Sequence, residues 1–335
     1  MKLLKQRFIF LSIVLVVFGC TDRSSQLVPL PVQTTEAVSQ KPIDLVSFNP
    51  KVDILFVIDN SGSMGQAQAN LSQNAVEFSN AITAMSILDY HIGVTSTDMD
   101  DCYSGCGNLL GKPFFVDKNT PNGAAALAKN MLLGTSGSGT EEMFNPVLKA
   151  LTINTSNNSN FYRQDAYLAV IFITDAKDQG YLSAAEFLKK VISIKNDATK
   201  ILAYGVIRTL ADEQSCYSAE GLDGKLEEFL ASVVNADKKQ NNVFSLCAPD
   251  YGIKLAQFAK DIVQRSSGIV RLLRIPNVKT IQVSYGTQQI PNSMTDGWVY
   301  EISTNSIILS SEIKWLVQPN AKLSIDFEAI DITKN

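Results

Sequence analysis

The 335-residue sequence is poor in the side chains on which most catalytic and thiophilic metal chemistry depends. It has one histidine, His91, and none of its five cysteines belongs to a CxxC pair. A structural zinc site would prefer such close pairs together with further histidines. The sequence also lacks a GxSxG, HExxH or phosphate-loop motif, so the common signatures of hydrolases and nucleotide-binding proteins are missing.

Clusters of positive charge are missing as well. The chain carries 29 lysines and arginines against 33 aspartates and glutamates, for a formal net charge of −4. Nucleic-acid binding normally requires clustered basic side chains that neutralise phosphates. The sequence therefore predicts no nucleic-acid partner.

No apolar run is long enough to cross a bilayer. The longest export-like run, Phe8–Phe18, has eleven residues and follows three basic residues, a pattern typical of a signal peptide. It ends in VVFGC, which resembles the bacterial lipobox. That resemblance implies a lipoprotein signal peptide over residues 1–19, cleavage before Cys20 and a lipid on Cys20. The alternative is an ordinary signal peptide with a chance cysteine.

The segment after the predicted cleavage site indicates how the protein is attached. Residues 20–50 are rich in Ser, Thr, Gln and Pro, and such a composition favours a flexible tether over a packed core. Thr21 stands where an aspartate would retain an enteric-type lipoprotein at the inner membrane. We therefore expect an outer-membrane lipoprotein, exposed either to the periplasm or at the cell surface.

Export makes disulfide bonds permissible for the remaining four cysteines, which allow three pairings. Nearness in sequence favours Cys102–Cys106 and Cys216–Cys247. A metal-thiolate site is the rival interpretation, and the spacing disfavours it.

Strand and helix patterns alternate between residues 51 and 270. We expect strands over 52–58, 90–97, 113–117, 167–175 and 201–207. We expect helices over 65–85, 124–133, 141–151, 183–195, 221–235 and 251–264. The alternation predicts an α/β domain with a doubly wound, mostly parallel sheet flanked by helices. From residue 271 to 335 short alternating strands replace this rhythm and predict a small antiparallel β domain.

Small oxygen-bearing side chains follow the first predicted strand. DNSGS places Asp59, Ser61 and Ser63 at its end, and Asp175 ends the strand YLAVIFITD. In doubly wound sheets, ligands bind beyond the carboxyl ends of the strands. Carboxylates and hydroxyls are hard oxygen donors that suit Mg²⁺, Mn²⁺ or Ca²⁺. A simple helix cap at this turn is the alternative.

These pieces resemble the von Willebrand factor type A (vWA) domain. DNSGS after a buried strand, GT before a helix and ITD at a later strand end match, in order, that family's metal-ion-dependent adhesion site, DxSxS…T…D. The resemblance covers about residues 50–270. It implies metal ligands at Asp59, Ser61, Ser63, Thr140 and Asp175. The TDAKD stretch resembles a bacterial lipoprotein branch and implies a second-shell or ligand-facing role for Asp178.

The resemblance implies Mg²⁺ as cofactor, with Mn²⁺ or Ca²⁺ possible, and a protein or matrix ligand that offers an acidic side chain. The leading hypothesis is an exported, lipid-anchored adhesion module. The alternative is a scaffold subunit of a cell-envelope assembly. Metal-assisted hydrolysis is disfavoured because the sequence offers no evident general base, and we expect no enzyme.

Two remaining features are ambiguous in the sequence. His91 falls inside a predicted strand, where a hydrogen-bonded core or edge histidine is favoured over a metal ligand. Asp98, Asp100 and Asp101 fall near the rim of the predicted crevice. They are interpreted as a solvated loop or, alternatively, as a second cation site or a surface that repels acidic partners.

Overall fold

The computed structural model of the protein describes residues 43–48, 50–83, 87–103, 105–212, 222–233, 242–248, 250–316, 318 and 321–330. The predicted signal peptide, Cys20 and Cys216 lie outside these residues, and the predictions for them remain predictions. Within the described ranges, no helix has the length and apolar character required to cross a membrane.

Thirteen strands and six α-helices are described. The strands are β1 (Ile43–Phe48), β2 (Lys51–Ile58), β3 (Asp89–Ser96), β4 (Phe115–Asp117), β5 (Tyr167–Thr174), β6 (Ile201–Ile207), β7 (Val243–Ser245), β8 (Ile269–Arg271), β9 (Gln282–Tyr285), β10 (Gln288–Ile290), β11 (Trp298–Glu301), β12 (Ser306–Leu309) and β13 (Leu323–Glu328). The helices are α1 (Gly65–Thr83), α2 (Gly123–Asn130), α3 (Phe144–Thr152), α4 (Ala184–Lys195), α5 (Lys225–Val233) and α6 (Tyr251–Ser267).

A six-stranded sheet forms the centre of the larger part of the molecule. Its strand order is β4-β3-β2-β5-β6-β7. All neighbouring strands pair in parallel except β3 and β4, which pair antiparallel. The order reverses at β2, since the chain proceeds outward to β3 on one side and to β5 on the other. The predicted fold class is therefore confirmed.

Burial on both faces explains why the inner strands read as continuous apolar runs. Along β2, Ile54 and Phe56 pack into a core cluster shared with α1, α2 and α6. Their neighbours Leu55 and Val57 pack into a second cluster shared with α3, α4 and α5. Each fully buried side chain of this size stabilises the fold by roughly 1.5–3 kcal/mol.

Helix α1 buries the apolar stripe that its spacing predicts. Leu71, Ala75, Phe78 and Ile82 are fully buried against the sheet. Phe78 meets Phe56 of β2 edge to face, with ring centroids 5.0 Å apart. Because the stripe fixes how α1 lies on the sheet, it also fixes the turn between β2 and α1.

The C-terminal part contains two small antiparallel sheets. Their strand orders are β1-β13-β9-β10 and β11-β12-β8. They enclose a separate core that includes Val283, Tyr285, Trp298, Ile307 and Phe327. The expected antiparallel β module is confirmed.

The predicted tether over residues 20–50 is too long at its C-terminal end. Residues 43–48 form β1, and this strand pairs antiparallel with β13 over six residues, from Ile43 opposite Glu328 to Phe48 opposite Leu323. Apolar and polar residues alternate in IDLVSF, as in a strand, but the surrounding polar residues favour a tether over the whole segment. The β module is thus assembled from both ends of the described chain.

A buried ion-pair network lies at the amino end of the central sheet. Asp53 is fully buried in β2, and its carboxylate accepts hydrogen bonds from Arg163 Nε (2.8 Å) and the Arg163 backbone N–H (2.6 Å). Arg163 Nη1 also donates to Asp89 (2.7 Å). The Nζ of the buried Lys195 donates to the Arg163 carbonyl. His91 Nδ1 lies 2.8 Å from the Phe161 carbonyl oxygen, so this histidine is hydrogen-bonded, as expected.

Removal of β1 should destabilise the β module. We expect a chain that lacks residues 1–48 to unfold with a free energy about 3 kcal/mol lower than a chain that lacks residues 1–40, because β13 loses its ladder partner. Urea unfolding of both proteins measures the difference. Equal stabilities would show that the β1–β13 pairing contributes nothing to folding.

The Asp53 network should make stability depend on pH. Burial raises the pKa of Asp53 to about 6, although Arg163 lowers it. A raised carboxyl pKa favours folding while the group is protonated, and that contribution is lost as the pH rises through about 6. Relative to an Asp53→Asn variant, the parent should therefore lose about 3 kcal/mol of stability between about pH 3.5 and 7. Urea unfolding across this range measures the difference, and a constant difference would contradict the expectation.

Candidate functional site

The carboxyl ends of three adjacent strands bring the predicted site residues to one edge of the central sheet. Asp59 follows β2, Thr97 follows β3 and Asp175 follows β5. The backbone N–H of Asp59 donates to the Ile173 carbonyl (2.9 Å), and that of Thr97 donates to the Ile58 carbonyl (3.2 Å). Parallel pairing therefore continues one residue beyond the strands and holds the three segments side by side.

Hydrogen bonds connect four of the predicted ligands: Ser61, Ser63 and Asp175 form a chain of side-chain oxygen atoms, and Asp59 joins it through the Ser61 backbone N–H. The Asp59 Oδ1 accepts a hydrogen bond from the Ser61 backbone N–H (2.9 Å). Ser61 Oγ lies 3.0 Å from Ser63 Oγ, and Ser63 Oγ donates to Asp175 Oδ1 (3.1 Å). The structure thus brings together Asp59, Ser61, Ser63 and Asp175.

Asp59 is held rigidly at the centre of this edge. Its side chain is fully buried, and Oδ2 accepts a hydrogen bond from Thr174 Oγ1 (2.7 Å). Its own carbonyl accepts from Gln68 Nε2 of α1 (3.0 Å). Because β2, β5 and α1 all contact Asp59, its carboxylate has little freedom to rotate.

The site carries a third buried carboxylate, from Glu141. This side chain is 1% exposed, and its Oε2 accepts a hydrogen bond from the Thr97 hydroxyl. Its Oε1 has no hydrogen-bond partner among the described residues. Sequence reasoning missed Glu141 because an acidic residue just before a helix is normally interpreted as favourable to the helix dipole.

The buried carboxylates of this edge destabilise one another in their charged forms. Burial, then the charge of Asp59, raise the pKa of Asp175 to about 6. Burial, then the charges of Asp59, Asp98 and Asp175, raise the pKa of Glu141 to about 8. Burial likewise raises the pKa of Asp59. A nearby positive charge would relieve this repulsion and favour the ionised carboxylates.

Thr140 is placed differently from the other four predicted ligands. Its side chain is exposed, and its backbone N–H donates to Ser138 Oγ (3.0 Å). No hydrogen bond joins its hydroxyl to the oxygen chain among the described residues. The structure therefore does not link Thr140 to the other four through its side chain.

The Asp98 carboxylate ties two loops together at the rim of the site. Oδ1 accepts hydrogen bonds from the backbone N–H groups of Asp100 (2.8 Å) and Asp101 (3.1 Å). Oδ2 accepts from the Ser138 backbone N–H (3.0 Å). These three bonds satisfy a carboxylate that is only 2% exposed. Asp98 thereby shapes the rim of the site.

A disulfide bond closes the loop that follows Asp98. Cys102 and Cys106 are joined with an S–S distance of 2.07 Å, which confirms that predicted pairing. The Cys106 backbone N–H donates to the Asp98 carbonyl (2.7 Å). A Cβ at Gly105 would lie 1.9 Å from that carbonyl oxygen, so only glycine permits this close approach. The Cys216–Cys247 bond remains a prediction because Cys216 lies outside the described residues.

Asp178 lies behind the site and supports α3. Its Oδ1 accepts hydrogen bonds from the backbone N–H groups of Met143 (2.7 Å) and Phe144 (3.4 Å). Its Oδ2 pairs with Lys225 Nζ at 2.7 Å. The carboxylate is fully buried in these contacts, so they explain its presence without a ligand.

The oxygen groups at this edge can be compared with the ligands that a hard divalent cation requires. No group of three or more His, Cys, Asp or Glu side chains in the described part of the chain is arranged to hold a metal ion. In the set of Asp59, Ser61, Ser63 and Asp175, two of the four side chains are serine hydroxyls instead of acidic groups. Adjacent ligands of an octahedral Mg²⁺ ion with bonds of 2.0–2.1 Å lie about 3 Å apart. The Ser61–Ser63 and Ser63–Asp175 distances, 3.0 and 3.1 Å, match this spacing, and the oxygen donors fit the ion.

Comparison with known proteins gives structural similarities only. No protein-family model and no curated protein matches the chain. A von Willebrand factor type A protein from Catenulispora acidiphila is 15% identical, with a TM-score of 0.41 over 86% of this chain and 60% of that chain. The pilus adhesin SpaC from Lactobacillus rhamnosus GG is 11% identical, with a TM-score of 0.42 over 85% of this chain and 40% of that chain.

A third similar structure is proximal thread matrix protein 1 from the mussel byssus, in a form whose MIDAS motif is occupied by zinc. It is 14% identical, with a TM-score of 0.37 over 66% of this chain and 47% of that chain. The chain thus spans between two and three fifths of these three proteins. Its fold class rests on its own strand order and pairing.

Replacement of Asp178 should affect stability and leave cation binding intact. We expect Asp178→Ala to lower the free energy of unfolding by about 3 kcal/mol, because two backbone donors and Lys225 lose their acceptor. Thermal unfolding with and without Mg²⁺ separates the two effects. Lys225→Met serves as a control that removes the ion pair and the Lys225 hydrogen bond to the Gly180 carbonyl but keeps the acceptor of the two backbone donors. A lost response to Mg²⁺ at unchanged stability would instead make Asp178 a ligand-facing group.

Proposed function

We propose that the protein is a vWA-type binding module, exported and lipid-anchored, that engages a protein or matrix ligand through a divalent cation. Asp59, Ser61, Ser63 and Asp175 would hold the cation, with Mg²⁺ the first candidate and Mn²⁺ or Ca²⁺ possible. A carboxylate of the ligand would complete its coordination. The chain of oxygen atoms from Ser61 through Ser63 to Asp175 is the observation that carries the proposal.

The chemistry of the serines supports binding of an outside carboxylate. Hydroxyl oxygens carry no charge. Ser61 and Ser63 therefore neutralise less of the positive charge of a cation than two aspartates would. When bound, the cation supplies a localised positive charge at the carboxyl edge of the sheet. An acidic side chain of a ligand is the natural partner for such a charge.

The hydrogen bonds of Asp59 and Asp98 favour a binding role for these two carboxylates over a catalytic one. Thr174 and the Ser61 backbone hold both oxygens of Asp59. Three backbone N–H groups hold Asp98. A general base needs an oxygen that can take up a proton from a bound substrate. Side chains fixed in this way position a ligand instead.

The attachment of the module follows from the predicted lipid on Cys20 and the position of β1. Twenty-two residues separate Cys20 from Ile43, where β1 begins. A segment of this length spans at most about 75 Å when fully extended. The tether would then enter the β module, and this module would connect the anchor to the central sheet at an outer membrane, facing either the periplasm or the exterior.

A scaffold subunit of a cell-envelope assembly is the second candidate. Exposed apolar side chains on the β module favour it: Leu273 is 95% exposed and Ile302 is 78% exposed. Both belong to the region of β8, β11 and β12, since Asn305 Nδ2 donates to the Leu272 carbonyl (2.9 Å). Leu273 lies just after β8 and Ile302 in the turn between β11 and β12, and neighbouring exposed apolar side chains are typical of a contact surface.

Cation binding should raise the thermal stability of the parent protein. The full chain, purified in mild detergent and treated with chelator, would be titrated with Mg²⁺, Mn²⁺ and Ca²⁺ beside an Asp59→Ala variant. A cation that binds only the folded state stabilises it by about 2.7 kcal/mol at 100 times its dissociation constant. We expect a rise in the unfolding midpoint of the parent and none in the variant.

The control variant is Asp165→Ala, which removes an exposed aspartate that pairs with Lys51 and should respond to cations as the parent does. No rise for any cation at millimolar concentration would overturn the proposed cation site. If the protein captures an acidic ligand and chelator abolishes this capture, the binding module is supported. Stable co-purification with envelope proteins that is indifferent to chelator would favour the scaffold.

A further inference from the structure

The segment just before α3 crosses the carboxyl edge of the central sheet in front of Asp59. Glu141 forms an antiparallel bridge with Asp98, which follows β3. Its carbonyl accepts a hydrogen bond from the Gln179 backbone N–H (2.7 Å), beyond the end of β5. Since β2 lies between β3 and β5, the Glu141 backbone is fixed across the end of β2, where Asp59 lies.

The Glu141 carboxylate is buried without the partners that a buried charge requires. Only the Thr97 hydroxyl donates to it, through Oε2, and Oε1 is unpartnered within the described ranges. No salt bridge to Glu141 is found there either. A carboxylate removed from water in this way costs several kcal/mol unless a positive charge or hydrogen-bond donors compensate.

A second unpartnered acceptor lies at the same edge. Asn60 follows Asp59, is 3% exposed, and its Oδ1 has no hydrogen-bond partner in the described part of the chain. The Asn60 carbonyl accepts from the Gly137 backbone N–H (2.8 Å), so the residue faces the same segment as Glu141. Buried oxygens of Asn60 and Glu141 that have no partner among the described residues therefore lie at the edge of the sheet that carries Asp59.

Thr140 and Glu141 are neighbours in sequence with opposite surroundings. Thr140 is exposed, and among the described residues no hydrogen bond joins its hydroxyl to the oxygen chain. Glu141 is 1% exposed and interacts electrostatically with Asp59 and Asp175. The bridge to Asp98 fixes which of the two side chains points toward the buried edge.

We propose that Glu141, rather than Thr140, supplies the oxygen that this segment contributes to cation binding. This inference rests on the proposed cation site. It adds one carboxylate, and with it one negative charge, to the ligands of that site. In the metal-free protein Asp59, Glu141 and Asp175 do not form a group of three acidic side chains that could hold a metal ion, so the Glu141 carboxylate would turn toward the cation as it binds and bring the site to three negative charges. The protein should therefore bind the cation alone, before any acidic ligand is present, and an acidic ligand would add to an already occupied site.

The test compares cation affinities of the full chain and three variants. Chelator-treated parent, Glu141→Gln, Thr140→Val and Glu142→Gln would each be titrated with Mn²⁺, Mg²⁺ and Ca²⁺ by isothermal titration calorimetry. Glu142→Gln is the matched control, because the Glu142 carboxylate is engaged by Asn145 Nδ2. We expect Glu141→Gln to weaken affinity at least about tenfold, Thr140→Val to weaken it much less, and Glu142→Gln to leave it unchanged.

The metal-free proteins provide a second readout. Glutamine matches the shape of glutamate and carries no charge, at a place where burial and the neighbouring carboxylates disfavour an ionised side chain, so we expect the unfolding midpoint of metal-free Glu141→Gln to equal or exceed that of the parent. A residue with a purely structural role would lower that midpoint and leave affinity unchanged. If Glu141→Gln does not fold, Thr97→Val, which removes the hydroxyl that orients Glu141, should weaken cation binding in its place.

The outcomes separate this inference from the proposed function. A parent that binds no cation overturns both. A parent that binds the cation, with Glu141→Gln binding equally well or Thr140→Val losing as much affinity as Glu141→Gln, overturns the inference and leaves the proposed function standing. A selective loss in Glu141→Gln supports it.

Discussion

The burial of like charges at one edge of the central sheet is the constraint on which the rest of the site depends. Asp59, Asp98, Glu141 and Asp175 are each at least 96% buried. Burial raises the pKa of Asp59, and burial together with neighbouring negative charges raises the pKa values of Glu141 and Asp175. Parallel pairing of β2 with β3 and β5 brings them together, and two apolar cores on the faces of the sheet stabilise that pairing. The folding energy of the sheet thus holds together groups that would otherwise separate.

The buried carboxylates at the two ends of β2 have different partners. At the amino end, Asp53 has a guanidinium within 2.8 Å and two further cationic or titratable neighbours in Lys195 and His91. At the carboxyl end, hydroxyls and backbone N–H groups are the principal partners of Asp59 and Asp175. The first arrangement supplies its own cation, Arg163, although burial still raises the pKa of Asp53. The second is suited to an added cation, which explains why the proposed function belongs to that end.

The β module links the start of the described chain to its end. Strand β1 precedes the central sheet in sequence, yet it pairs with β13, the last strand described. Any force on the N-terminal segment would therefore be transmitted through β1 to the β module before it reaches β2. For a module proposed to hold a ligand while tethered to a membrane, this connection makes the β1–β13 ladder part of the mechanical path.

The amino-acid pattern alone predicts the repeating order of strands and helices, the apolar stripe of α1, the antiparallel C-terminal module and the placement of Asp59, Ser61, Ser63 and Asp175 at or just after strand ends. These features follow from local periodicity and from the rule that parallel strands share a carboxyl edge. Contacts between distant parts of the chain are needed to show that residues 43–48 form a strand with β13, that Asp178 supports α3, and that Glu141 is buried while Thr140 is exposed. Each of these depends on a partner that is distant in sequence, so no local pattern of side chains could specify it.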